Sequence, residues 1–186
     1  GSAASALMAA APYLAAIAAA YALIKKFGDK GENPKAQLGF GAGAQAYVTQ
    51  GVFGAEGFKS IQTNDDFNQG LRAYMASFKA MDEGLAKMLT DSQKQRIAAA
   101  LGSASQYEFA FPKGDGTAGE QLSMAYLKSK YGTVFQELDK TFADFVRNFT
   151  GSAEDLQKAI ADESAVLGLL ADTSADILGK IPGLTI

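Results

Sequence analysis

No charged side chain occurs from Gly1 to Ile24, and the run closes on Lys25 and Lys26. As a helix, this stretch is long enough to cross a hydrocarbon core of about 30 Å. Its strong apolar residues are Leu7, Met8, Leu14, Ile17, Leu23 and Ile24, set with Pro12, Tyr13 and Tyr21 among many alanines that are close to neutral for membrane insertion. Two readings stand side by side. One is a membrane-entering segment flanked by Lys25 and Lys26. The other is a buried Ala-rich helix whose small side chains let partner helices, or its own copies, approach closely. Pro12 is expected to kink the helix or to mark its first turn. Because the chain starts Gly-Ser rather than Met, an internal or C-terminal piece of a longer polypeptide is expected in preference to a signal peptide.

The rest of the composition removes chemistry. Among 186 residues there is no histidine and no cysteine. That excludes a Ser-His-Asp triad, a cysteine nucleophile, a zinc site of the usual kind and any disulfide, all of which need imidazole or thiol. The 17 basic and 20 acidic side chains leave a net charge of -3, which provides no basic field for sequence-independent nucleic-acid binding.

Along the chain, Gly, Asp, Asn and Pro cluster between residues 28 and 36, a linker signal. Residues 37 to 62 alternate Leu38, Phe40, Ala42, Ala44, Ala46 and Val48 with Gly, Gln and Tyr at a period of two, which predicts an extended or β segment too glycine-rich to form an independent sheet. Helical spacing then takes over. Phe67, Leu71, Tyr74, Met75, Phe78, Met81, Leu85 and Met88 recur every three or four residues behind an Asn64 cap, and Thr90 with Gln93 forms a T-x-x-Q capping box for a short helix ending near Gly102. These two helices are expected to form a hairpin. A strand is expected near residues 105–112, where Tyr107, Phe109 and Phe111 alternate ahead of Pro112. From about Ala118 to Phe149 runs the longest helical pattern, a stripe of Leu122, Tyr126, Tyr131, Phe135, Leu138, Phe142, Phe145 and Phe149, with Gly132 as its expected point of division. Ser152 caps a last helix carrying Leu156, Ile160, Val166 and Leu167, and residues 174–186 read as a connector. The fold class predicted is mainly α with a small Gly-rich β portion: an N-terminal hydrophobic helix followed by helix hairpins, with residues 63–173 as the helical domain.

No motif carries chemistry with the right context. GAGAQA, Gly41 to Ala46, fits G-x-G-x-x-A formally but lacks the apolar strand before it and the acidic residue about 20 positions on that a dinucleotide site needs. Adjacent carboxylates at Asp65 and Asp66, Asp82 and Glu83, Glu154 and Asp155, and Asp162 and Glu163 diverge by about 100° on a helix, and read as solvated faces or helix starts. The Phe stripe reads as core, with a groove for a partner helix as the lesser reading. No cofactor and no metal site is expected.

Taken in order, the Ala-rich run ending in LIKKFGDKGENPKA, the stretch GFGAGAQAYVTQGVFG, the segment DSQKQRIAAALGSASQYEFAF, the KGDGTAGEQL turn and FTGSAEDLQKAI resemble part of a tape-measure protein of a long-tailed, siphophage-like bacteriophage. The resemblance implies a structural virion protein that lies in the tail lumen, helps to set tail length and touches tube and tip proteins. It also implies homo-oligomers of threefold order and, during infection, passage of the hydrophobic run into the host inner membrane as the genome crosses the envelope. Two other functions fit the residues: a pore-forming or toxin-like membrane module, and a carboxylate-dependent peptidoglycan hydrolase using residues such as Glu108 and Glu120.

Overall fold

The computed structural model describes residues 3–29, 35–39, 81–82, 84–101, 106–110, 117–168 and 170, with side chains described for 7–19, 21–22, 81–82, 84–100, 124–168 and 170. These residues are mainly helical. In chain order the elements are α1 (Ala3–Asp29), β1 (Lys35–Gly39), α2 (Asp91–Leu101), β2 (Gln106–Ala110), α3 (Thr117–Leu138), α4 (Lys140–Arg147) and α5 (Ala153–Val166). Residues 81–82 and 84–88 are helical as well.

Most of the expected Gly-rich extended segment, from residue 40 to 62, lies outside the described residues, and so does most of the first arm of the expected helix hairpin. A short antiparallel ladder joins β1 to β2, with Lys35 opposite Ala110 and Gly39 opposite Gln106. The backbone of β2 lies against α3.

Local chemistry sets the helix ends. At the start of α2, the Thr90 amide donates to Gln93 Oε1 at 2.9 Å and the Gln93 amide donates to Thr90 Oγ1 at 3.2 Å, the reciprocal box that the T-x-x-Q spacing predicts. Ser152 caps α5 by accepting from the Asp155 amide at 3.1 Å, with Glu154 and Asp155 complementing the positive end of the helix dipole. At the other end of α5, Gly168 takes φ +73°, a left-handed conformation that stops the helix without a Cβ penalty.

Two expectations about breaks are corrected. Pro12 lies inside α1, which starts nine residues earlier at Ala3 and continues to Asp29, so it is not the first turn. Gly132 does not divide the long helical pattern: α3 runs through it to Leu138, and the division falls at Asp139. The Asp139 amide donates to the Phe135 carbonyl at 2.8 Å, closing α3, while its carboxylate accepts from the Phe142 amide at 3.2 Å, opening α4. Gly132 serves packing instead. A Cβ there would meet Arg147 Cγ at 3.2 Å, and Arg147 Nη2 donates to the Gly132 carbonyl at 3.1 Å.

α1 packs on α5, and α3 packs on α2, α4 and α5. One apolar cluster joins Tyr13, Ala16 and Ile17 of α1 with Leu85, Ile97, Tyr126, Leu127, Tyr131, Val134, Phe135, Val146, Leu156 and Ile160. Each large side chain fully removed from water here contributes about 1.5–3 kcal/mol.

Candidate functional site

The uncharged run forms α1 as far as Ile24, and its described side chains divide into two faces. Pro12, Tyr13, Ala16 and Ile17 are buried, while Leu14 and Tyr21 are half-buried. Tyr21 donates its hydroxyl to Oε1 of the buried Gln157 on α5 at 3.3 Å, a polar contact between two helices that pack on each other. Leu7 and Met8 point the other way, 66% and 77% exposed. The side chains of Leu23, Ile24, Lys25 and Lys26 lie outside the described residues. Among the described residues no helix is long and apolar enough to cross a membrane.

Beside this helix the core holds a charge cluster. Lys130, fully buried on α3, donates from Nζ to Asp82 Oδ2 at 2.5 Å and to the Tyr126 hydroxyl at 2.9 Å. The Tyr131 hydroxyl donates to the other oxygen of Asp82 at 3.0 Å. Both tyrosine rings also face the ammonium, with centroids 5.4 and 5.2 Å from Nζ. Asp82 therefore corrects the expectation of a solvated carboxylate pair at 82–83: it is 2% exposed and paired across the core. Sequence reasoning misses this cluster because its partners are 48 residues apart. The available signal is Tyr126 one helical turn before Lys130, which places a hydroxyl beside the ammonium.

The other acid pairs also resolve into local roles. Glu154 binds Lys158 one turn on at 2.7 Å. Glu163 hydrogen-bonds Asp139, joining α5 to the α3–α4 break, and partial burial together with this bond and the neighbouring charge pushes the Glu163 carboxyl up to about 7. The same bond, followed by the Phe142 amide, holds Asp139 below the usual carboxylate range, and burial raises Asp162. Two hydrogen-bonded carboxyls are too close to flank a sugar linkage, which needs a separation of about 5 Å or more. Glu108 and Glu120 have side chains outside the described residues, as does GAGAQA. Among the described residues no group of three acidic side chains could hold a metal ion.

The Phe stripe runs from core to surface. Phe135 is buried and meets Phe142 edge-on at 4.8 Å; Phe142 stacks on Phe145 at 5.5 Å, and Phe145 meets Phe149 at 5.4 Å. Phe145 is 46% exposed, so its end of the stripe is surface rather than core, beside an open groove lined also by Thr141, Asp144 and Asn148. A second cleft, of about 200 Å³, lies between α2, α3 and α4. Its Arg96 pairs with Glu137 and its Arg147 donates to Gln136 at 2.5 Å, so both guanidinium groups are engaged within the fold.

Comparison of the chain with protein-family models, with characterised proteins and with solved structures gives no match.

Proposed function

We propose that this chain is part of a phage tail tape-measure protein, a non-enzymatic component of the tail lumen or tip that contributes to tail length and, on ejection, carries α1 to the host envelope. The observation that carries the reading is α1 itself. A helix with no charge through Ile24 docks on α5, buries Tyr13, Ala16 and Ile17, and leaves Leu7 and Met8 in water. In the tail that helix is held by α5 and by neighbouring copies; at the envelope its exposed end meets lipid. Threefold assembly at the tip follows the same reading.

The resemblance of the ordered segments supports the tail assignment, and the split between a buried and an exposed face of α1 supports its use at a membrane. Mass spectrometry of purified virions and of the ghosts left after ejection in vitro tests the assignment. Peptides of this chain are expected in intact virions and depleted from ghosts; their absence from virions contradicts it. A pore-forming module free of any tail gives that contradictory result while still lysing vesicles.

A further inference from the structure

We infer that the groove beside Phe145 and Asp144 is a docking site for an arginine side chain carried on a segment of a partner protein. The inference stands apart from the membrane reading of α1.

The groove lies along one side of α4 and the turn that follows it. Thr141, Phe145 and Asn148 recur at helical spacing and share a face, which Asp144 borders. Phe145 and Phe149 meet at an interplanar angle of 64° with centroids 5.4 Å apart, so their rings form an aromatic corner. A Cβ on Gly151 would come within 2.8 Å of the Phe149 ring, and its absence lets that ring lie against the turn. The groove's volume of about 520 Å³ is within the range of sites that take a small molecule or a protruding side chain.

Charge selects the occupant. Among the described residues that line the groove, Asp144 alone is charged. Its side chain is 57% exposed, and its one cation among the described residues, Arg147 Nη1, stays 3.8 Å away while that guanidinium donates to Gln136 and to the Gly132 carbonyl. An exposed pair at that distance contributes little, so Asp144 is open to a closer cation. The negative faces of aromatic rings attract a cation brought over them. A guanidinium suits this corner better than an ammonium, because it is planar, stacks on a ring and can divide its five N–H donors between a carboxylate and neutral acceptors. Such acceptors are present: the exposed side chains of Thr141, Asn148 and Thr150 make no hydrogen bond among the described residues.

NMR titration of the 186-residue chain with the tripeptides acetyl-Gly-Arg-Gly-amide and acetyl-Gly-Lys-Gly-amide tests the site. The arginine peptide is expected to shift the α4 backbone amides and the Asn148 side-chain amide saturably, with a Kd in the millimolar range, and the lysine peptide to bind about threefold or more weakly. Phe145→Leu keeps an apolar side chain but removes the ring, and Asp144→Asn keeps the shape but removes the charge. Each is expected to weaken binding of the arginine peptide by about threefold or more, with unchanged circular dichroism. No saturable shift at α4, equal binding of the two peptides, or undiminished binding to either folded variant overturns the inference. If Phe145→Leu does not fold, the Asp144→Asn result and the comparison of peptides decide it.

Discussion

At the scale of single residues, Glu163 gives the fold a pH dependence of defined sign. Its carboxyl is raised from 4.5 to about 7 in the folded chain, so folding takes up a proton between those values. The stability it contributes is complete below about pH 4.5 and is lost as the pH rises through about 7. Asp139 acts in the opposite sense, since a carboxyl held low contributes stability that is lost only as the pH falls through its lowered value. Urea melts are therefore expected to show greater stability near pH 5 than near pH 8, and Glu163→Gln to remove most of that slope. A parent protein with no slope contradicts the assignment. Gly168 is a second residue with a single physical role. A Cβ there meets nothing within 4 Å, so Gly168→Ala carries only the cost of its left-handed φ, about 1 kcal/mol by chemical denaturation.

At the scale of elements, what could be read from the chain divides by sequence distance. The capping box at Thr90 and Gln93 and the cap at Ser152 are legible because donor and acceptor sit three residues apart, and a local pattern determines them. Thr90→Ala removes one half of the box and is expected to lower stability by about 1 kcal/mol, with the loss of helicity confined to the first turn of α2. The break between α3 and α4 is less legible, because the Phe stripe continues through it and hides a polar Asp139 inside an apparently unbroken helical period. Glycine draws attention as a helix breaker, yet Gly132 stays helical, and its missing Cβ leaves room for the Arg147 side chain. The charge cluster is not legible at all. Nothing near Asp82 in sequence distinguishes a carboxylate on a solvated face from one aimed at Lys130, and only the docking of residues 81–82 on α3 decides between them. Likewise the Phe stripe reads correctly as core at Phe135, while Phe145 reaches the surface because α4 packs through Ala143 and Val146 and leaves its other side in water.

For the whole molecule, the uncharged run is one helix with a buried side and an exposed side. α1 is a buried Ala-rich helix where Tyr13, Ala16 and Ile17 enter the core, and an apolar surface at Leu7 and Met8. The proposed function needs both: docking that keeps the helix in the fold during assembly, and an exposed end able to meet lipid first. Because Leu7 and Met8 contribute little to the core, charge can be placed on them while the fold is kept. Flotation of the 186-residue chain with lipid vesicles, compared with its Leu7→Asp/Met8→Asp variant, is the most direct test. The parent is expected to float with the vesicles and the variant, with an unchanged helical spectrum, to stay in the bottom fraction; a parent that does not float, or a variant that floats equally well, contradicts a membrane-binding α1.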